Sequence, residues 1–410
     1  MKTIIILGDG MSDYPVAALN GKTPLQAACK PHIDRIAREG RMGLFQTVPD
    51  GMPKGSEVAN LSVLGYDPVK VYNGRAVLEA ANMGVALDDS DVAFRLNLCC
   101  IENGRIKNHS AGHITTEEAG HIIRTLQTEL GEVAGGMPVE LHAGVGYRHL
   151  LVLRGAAASP EVRCAPPHDH AGERAADLLP AAESAEAKTT EVKLRSLMTE
   201  AEGLLRGHPI NRKRVSEGKD PANAIWPWSP GRKPKMETLQ ERFGIRGAVI
   251  SAVDLIMGLG LYAGMDVIRV EGVTGLWDTN YEGKAAACIQ ALQDHDLVYV
   301  HVEATDEAGH ARDLELKIRC IEMLDDRLVR PILEGVERSG LETGVAVLAD
   351  HPTPVSTGIH AGDPVPVAVQ RPGQRADSTT AYDEEQAKAG SLPFMRGDDF
   401  IRIALGIDKH

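Results

Sequence analysis

No two cysteines of this chain are spaced C-x-x-C. The six stand at positions 29, 99, 100, 164, 288 and 320, so neither a thiol redox motif nor a zinc ribbon is indicated. Scattered thiols fit a reducing cytosol, and a cytoplasmic location is expected. No long basic stripe is present either. With 57 acidic and 44 basic side chains the net charge is −13. That balance argues against a nucleic-acid partner, but not against a small anionic metabolite held by a local cluster of Arg, Lys and metal. A membrane span needs ~20 predominantly apolar residues. The longest apolar stretch, 247–265, is interrupted by Asp254 and several glycines, so it reads as a strand followed by a helix and no membrane partner is expected. The run after Lys2 is too short for a signal-peptide core and reads as a first strand. There is no G-x-x-x-x-G-K-[ST], hence no P-loop kinase, and no internal repeat.

What the chain does contain is a large core and an alternation. Its 410 residues suffice for two domains. Apolar runs of four to eight residues alternate with helical patterns, as parallel strands covered on both faces would. The runs are Ile4–Leu7, Ala248–Ala252, Leu297–Val302 and Val345–Leu348. The segments Pro31–Gly40, Glu282–Leu292 and Leu314–Leu324 read as helices. Between Asp91 and Arg242 the pattern changes. Strand-like pieces (Val92–Leu98, Leu150–Leu153) mix with helices (Thr116–Leu130, Thr190–Leu205), and Ala156–Ala187 has the composition of a surface connection. The expected architecture is an α/β domain, residues 1–90 and 243–410, with a mostly parallel sheet flanked by helices. A smaller α+β domain, residues 91–242, is inserted in it.

Three apolar runs end in the same residue types. The first closes at Gly8-Asp9-Gly10, the second leads to Asp306 and His310, and the third ends at Asp350-His351 with His360 nine residues on. Ligands of an open α/β sheet are presented at such strand ends. Three Asp and three His suit a mixed oxygen/nitrogen site for two divalent ions. Any one of them alone is as well explained as a cap or loop residue; the set is not. Two clustered ions suit phosphoryl transfer, which needs a nucleophile. Lys54-Gly55-Ser56-Glu57, ahead of the helical run Val58–Leu64, offers Ser56 at a helix start, in the positive end of the dipole. The bland alternative is that Ser56 is simply an N-cap. The run Gly258-x-Gly260-x-x-x-Gly264 lacks dinucleotide spacing and reads as close helix packing. The middle segment adds polar clusters at 108–113, 147–149, 167–170 and 231–233, whose Arg and His residues suit an anionic substrate or are ordinary surface loops.

Taken together, G-D-G-M-S-D, G-K-T-P-L-Q-A-A-x-x-P-x-I-D-R-I-A-x-E-G, K-G-S-E-V-A-N-L-S-V-L-G-Y-D-P, D-T-N-Y-E-G-K, H-V-E-A-T-D-E-A-G-H and A-D-H-P-T-P resemble the archaeal-type cofactor-independent phosphoglycerate mutases of the alkaline phosphatase superfamily. The resemblance runs nearly end to end and is weakest over 156–187. It implies a phosphatase-type domain carrying two metals, usually manganese and sometimes magnesium, zinc or cobalt, with an inserted phosphotransferase domain. It implies that Ser56 becomes phosphorylated. Asp9, Ser56, Asp350 and His351 match the ligands of one metal, and Asp306, His310 and His360 those of the other. In the insert it points to His109, Ser110 and His113, to Arg232 and Lys233, and to Arg148 as substrate contacts, and near the junction to Arg75. The bacterial type has a lysine after the strand that re-enters the catalytic domain. Ser251-Ala252-Val253-Asp254 has none, so either another base serves, Lys233 or Lys284, or local charge is handled differently.

The activity so implied is interconversion of 3-phosphoglycerate and 2-phosphoglycerate, a step of glycolysis and gluconeogenesis, through a phosphoserine and without 2,3-bisphosphoglycerate. The partner is a small phosphorylated hydroxy acid. Keeping water from the phosphoserine is what separates a mutase from a phosphatase, and a closing insert would do so. Two rivals are a metal-dependent phosphatase or phosphotransferase on another small substrate such as phosphohomoserine, and a non-catalytic protein that keeps the fold.

Overall fold

A computed structural model describes residues 1–131 and 137–407; the remaining residues of the expected 91–242 and 243–410 segments lie outside it. Strand Lys2–Gly8 is buried along nearly its whole length. Each fully buried Ile at 4, 5 and 6 contributes roughly 1.5–3 kcal/mol relative to exposure. The strand pairs in parallel with Leu297–Val302 on one side and Thr343–Leu348 on the other. Across the sheet the order is Asp266–Val267, Gly247–Ile250, Leu297–Val302, Lys2–Gly8, Thr343–Leu348, Val365–Gln370 and Arg41–Phe45. The first five run parallel; Val365–Gln370 is antiparallel to both of its neighbours. Register sets Gly8 opposite Val302, and Leu7 opposite Leu348. The residues just past these ends, Asp9, Glu303 and Asp350, therefore emerge side by side at one edge of the sheet, where such folds bind ligands.

The chain divides into two compact units, one of Met1–Tyr72 with Lys235–His410 and one of Asn73–Pro234. Both boundaries fall earlier than the 91 and 242 expected from sequence. Helix Ala76–Asn82 buries Ala76, Val77, Leu78 and Ala80 and packs on the insert strands Val92–Glu102 and Ala224–Gly231. Helix Leu239–Phe243 belongs to the first unit: Tyr66 donates its hydroxyl to the Glu237 carbonyl at 2.7 Å, and Arg242 stacks on Tyr66. Side-chain packing, rather than the change in periodicity, sets the joints.

The insert is an antiparallel sheet built on Val92–Glu102, which pairs with Arg148–Leu153, Arg105–Asn108 and Ala224–Gly231. Helix Thr116–Leu130 opens on a capping box between Thr115 and Glu118. With Lys188–Arg206 it lends Ile122, Leu126, Leu194 and Leu197 to the insert's own core. The segment 156–187 is more than a connection: Val162–Arg163 pairs with Ala181–Ala182, and Ala158, Val162 and Ala187 enter that core. Glycine packing is as expected at Gly260, where an added Cβ would stand 2.5 Å from Val249 Cγ1. No helix among the described residues is long and apolar enough to cross a membrane.

Candidate metal centre and anion cluster

Asp9 follows the first strand directly and is fully buried. Gly10, beside it, has φ +61°, and a Cβ there would meet Asp306 Oδ1 at 2.5 Å; only glycine lets this turn lie against the second carboxylate. Ser56 is the first residue of helix Ser56–Val63, with Gly55 at the N-cap. It is therefore not the N-cap, and its hydroxyl is turned elsewhere. Oγ donates to Asp9 Oδ2 at 3.3 Å and lies 3.3 Å from His351 Nε2. His351 Nε2 is in turn 3.7 Å from Asp9 Oδ1 and 3.4 Å from Asp350 Oδ2. Asp350 is fully buried; its Oδ1 accepts the Gly10 and His351 amides, and Oδ2 the Asn60 side chain. Asp9, Ser56, Asp350 and His351 thus meet at one point.

The second set converges as tightly. Asp306 and His310 lie on helix Ala304–His310, one turn apart and on one face. Asp306 Oδ2 is 3.0 Å from His310 Nε2, and Oδ1 is 3.4 Å from His360 Nε2. His310 Nδ1 lies 2.9 Å from the Gly358 carbonyl, and His360 Nδ1 2.8 Å from the Lys54 carbonyl. A carbonyl only accepts, so both Nδ1 atoms carry hydrogen. In the neutral rings both Nε2 lone pairs then face each other across 2.9 Å, with a carboxylate beside them. Three electron pairs aimed at one point are stable only around a cation or a shared proton. The proton's pull is visible: the bond to Asp306 lifts the His310 pKa to about 9 against the opposing effect of burial. Burial raises Asp306, but the two imidazoles outweigh it and leave its pKa well below the carboxylate range. The two sets touch, since the His351 and His360 rings stack at 3.9 Å.

Several residues near this centre escaped the sequence reading. His301, fully buried on strand Leu297–Val302, lies 3.0 Å from Asp9 Oδ2 and 3.2 Å from Ser251 Oγ. Burial takes its pKa down to about 3, so it is neutral and donates to Asp9. Glu303 is 3.6 Å from the same imidazole nitrogen, and burial followed by the charge of Asp306 takes it up to about 8. Asp9, crowded by burial and by Asp350, Glu303 and Asp306, is raised well above the usual range. Asn60, one turn beyond Ser56, links Asp350 to the Tyr299 hydroxyl. A histidine inside an apolar strand and an asparagine four residues after a helix-start serine were the available signals. Carboxylates and imidazoles gather here in ligand-sized groups, among them Asp9 with Asp350 and His351, and Asp306 with His351 and His360. The donor set fits two divalent ions. Lys284 does not fit the role of a base: it is fully buried and donates to the His301 carbonyl at 2.8 Å.

In the insert, Arg75, Arg148 and His109 come together with His168, from the 167–170 cluster, and with Arg95, which the sequence did not single out. The Arg95 guanidinium lies 4.2 Å from the centre of the Trp228 ring and pairs with Glu79 at 2.9 Å. Burial, and then the neighbouring charges of Arg75 and Arg148, lower its pKa despite Glu79. His168 packs edge-on to Trp228 at 5.0 Å and faces His109 at 6.0 Å. Arg148 lies over Tyr147, which also meets His109. His113 is exposed at φ +52°, near enough to depress His109 after burial has done so. Ser110 is buried, and its Oγ closes a turn by accepting the His113 amide. Arg232 is engaged with the Ala158 carbonyl, and Lys233 is exposed. Ser110 and Arg232 thus satisfy backbone groups, and Lys233 faces solvent. A cavity of about 480 Å³ in the insert, lined by Met198, Leu179 and Trp226, shares no lining residue with this cluster.

A parallel sheet presenting Asp/His groups and a serine at a helix start defines a class, the enzymes that move phosphoryl groups. Comparison with known proteins gives the family. The family model for 2,3-bisphosphoglycerate-independent phosphoglycerate mutase matches residues 37–211. A protein of that name from Methanosarcina barkeri is 50% identical over 404 residues, covering 98% of this chain and 99% of its own length. Two solved structures share the fold. One is a Pyrococcus horikoshii protein, 30% identical with TM-score 0.83, covering 100% of this chain and 98% of that one. The other is the cofactor-independent phosphoglycerate mutase of Thermoplasma acidophilum, 26% identical with TM-score 0.71 and 99% of each chain covered. The chain belongs to the 2,3-bisphosphoglycerate-independent phosphoglycerate mutases.

Proposed function

We propose that the protein interconverts 3-phosphoglycerate and 2-phosphoglycerate through a phosphoserine at Ser56. The observation that carries this reading is the meeting of two lone-pair-rich groups around one serine. His310 and His360 converge on Asp306; His351, stacked on His360, gathers Asp9 and Asp350, and Ser56 Oγ lies 3.3 Å from both Asp9 and His351. Two divalent cations, manganese by preference and magnesium, zinc or cobalt as alternatives, would be held by Asp9, Ser56, Asp350 and His351 and by Asp306, His310 and His360. When bound they supply positive charge for the phosphoryl oxygens and lower the pKa of coordinated hydroxyls. Ser56 Oγ gives up its proton toward Asp9, to which it donates, and attacks phosphorus; a P–O bond to Ser56 forms, the P–O bond to the glycerate breaks, and the departing glycerate oxygen takes up a proton. The other glycerate hydroxyl then attacks the phosphoserine, and the serine is restored. Asn60 and His301 hold Asp350 and Asp9 in place. In the insert Arg75, Arg95 and Arg148, with His109 and His168, provide fixed donors for carboxylate or phosphate.

The decisive variant is Ser56→Ala. Loss of a covalent nucleophile is expected to reduce exchange by at least about 10³-fold, with an unchanged far-UV spectrum, in a coupled assay from 3-phosphoglycerate with and without manganese. Near-normal activity in that variant would refute the mechanism. Reaction in ¹⁸O-water adds a second arm: a mutase leaves the product phosphate unlabelled, whereas a phosphatase delivers solvent oxygen to free phosphate.

A further inference from the structure

One buried hydroxyl at the centre has no part in the reading above. Thr353 is fully buried, two residues past His351. Its Oγ1 donates to Asp306 Oδ1 and lies 3.3 Å from His351 Nδ1. A threonine hydroxyl has one proton, and an ionised carboxylate can only accept. With its proton directed to Asp306, Oγ1 can only accept from His351. The His351 hydrogen must then sit on Nδ1, leaving the Nε2 lone pair directed at Ser56, Asp350 and Asp9. This is the tautomer that His310 and His360 take from their backbone carbonyls. Thr353 is itself held firmly. Its carbonyl accepts from Lys317 Nζ at 2.8 Å, and its amide donates to the Ser12 carbonyl at 3.3 Å. Lys317, also fully buried, pairs with Asp13 at 2.8 Å.

We propose that Thr353 is the positioning residue that couples the two ligand groups. One hydroxyl orients Asp306 of one group and fixes the ligating tautomer of His351 in the other, while Lys317 anchors the loop that carries it. The inference rests on the two-cation reading of the centre. Partners of this kind, which orient metal ligands, change affinity by about 10–100-fold when removed.

Manganese titrated into the metal-free protein, with the free ion read by electron paramagnetic resonance, tests it directly. Thr353→Val keeps the shape and removes the hydroxyl; binding of both ions is expected to weaken about tenfold or more. Thr353→Ser is expected to stay within about threefold of the parent, since it restores the hydroxyl. Histidine-selective ¹⁵N resonance of the metal-free parent is expected to show His351 protonated at Nδ1, a readout that needs no variant to fold. Unchanged manganese affinity in Thr353→Val, weakening at one group alone, or a His351 hydrogen on Nε2 would each overturn the proposal. A parent protein that binds no manganese would instead bring down the two-cation reading, and this inference with it.

Discussion

Arg95 shows how much a single side chain can be asked to do. Its guanidinium is stacked on Trp228 and its Nε pairs with Glu79, so one face and one donor are already fixed. Arg95→Lys keeps the charge but loses the planar fork. The expected result is a rise of about tenfold in KM for phosphoglycerate with kcat little changed, the pattern of lost uniform binding; a fall in kcat alone would contradict it. At the cation groups the residue-scale lever is the His310 proton. Asp306 raises the His310 pKa to about 9 from an ordinary value near 6.5. The folded value being the higher one, the stability this proton brings is complete below about pH 6.5 and is lost as pH rises through about 9. Chelator-treated protein should therefore lose thermal stability across that window. His310→Ala should flatten the slope, and manganese-loaded protein, in which the ion takes the proton's place, should not follow it. A slope unaffected by His310→Ala would remove the proton from the argument. Asp9, Asp306, His310, Asp350 and His351 were legible in sequence because each stands just past an apolar run or a few residues beyond one, and His360 because it follows His351 by nine residues. Asn60 and His301 were not, because the carboxylates they hold lie far off in sequence: Asn60 reaches Asp350 across 290 residues and His301 reaches Asp9 across 292. Thr353 was not, because nothing in the sequence brings Asp306 to its hydroxyl.

Among elements, the legible ones are those whose burial leaves a one-dimensional trace. Lys2–Gly8, Leu297–Val302 and Thr343–Leu348 are buried on both faces, so they read as unbroken apolar runs. Arg41–Phe45 and Val365–Gln370 went unread. The first is short and holds Arg41 and Gly43, and the second carries Pro366, which argues against a strand in sequence. Their pairing with each other and with Thr343–Leu348 is what makes them strands. The glycine run in helix Asp254–Tyr262 is a packing device of the same sheet, because Gly260 sits on Val249 of strand Gly247–Ile250. Gly260→Val should cost about 1–3 kcal/mol through overpacking, read as a lowered unfolding midpoint. Gly207→Ala, where a Cβ meets nothing within 4 Å, should be close to neutral. Equal effects at the two positions would mean that close packing is not what Gly260 provides.

At the scale of the molecule, the two units differ in how their chain is laid out. The insert is continuous, and its core is gathered from residues 92–225. The first unit is split, and the residues proposed to hold the cations come from both pieces: Asp9 and Ser56 before the insert, Asp306, His310, Asp350, His351 and His360 after it. A ligand that binds only the folded state stabilises by RT ln(1 + [L]/Kd), about 2.7 kcal/mol at a hundred times Kd. All of that free energy enters through contacts in the split unit. Two units with separate cores also need not unfold as one. Manganese should therefore slow amide hydrogen exchange in Lys2–Gly8, Leu297–Val302 and Thr343–Leu348, while the core strands of the insert, Val92–Glu102 and Arg148–Leu153, exchange as before. Hydrogen-exchange mass spectrometry of the whole chain at saturating and zero manganese resolves these peptides. Equal protection in both sets would show that the units unfold as one body. Protection confined to the insert would place the cations somewhere other than on these seven residues.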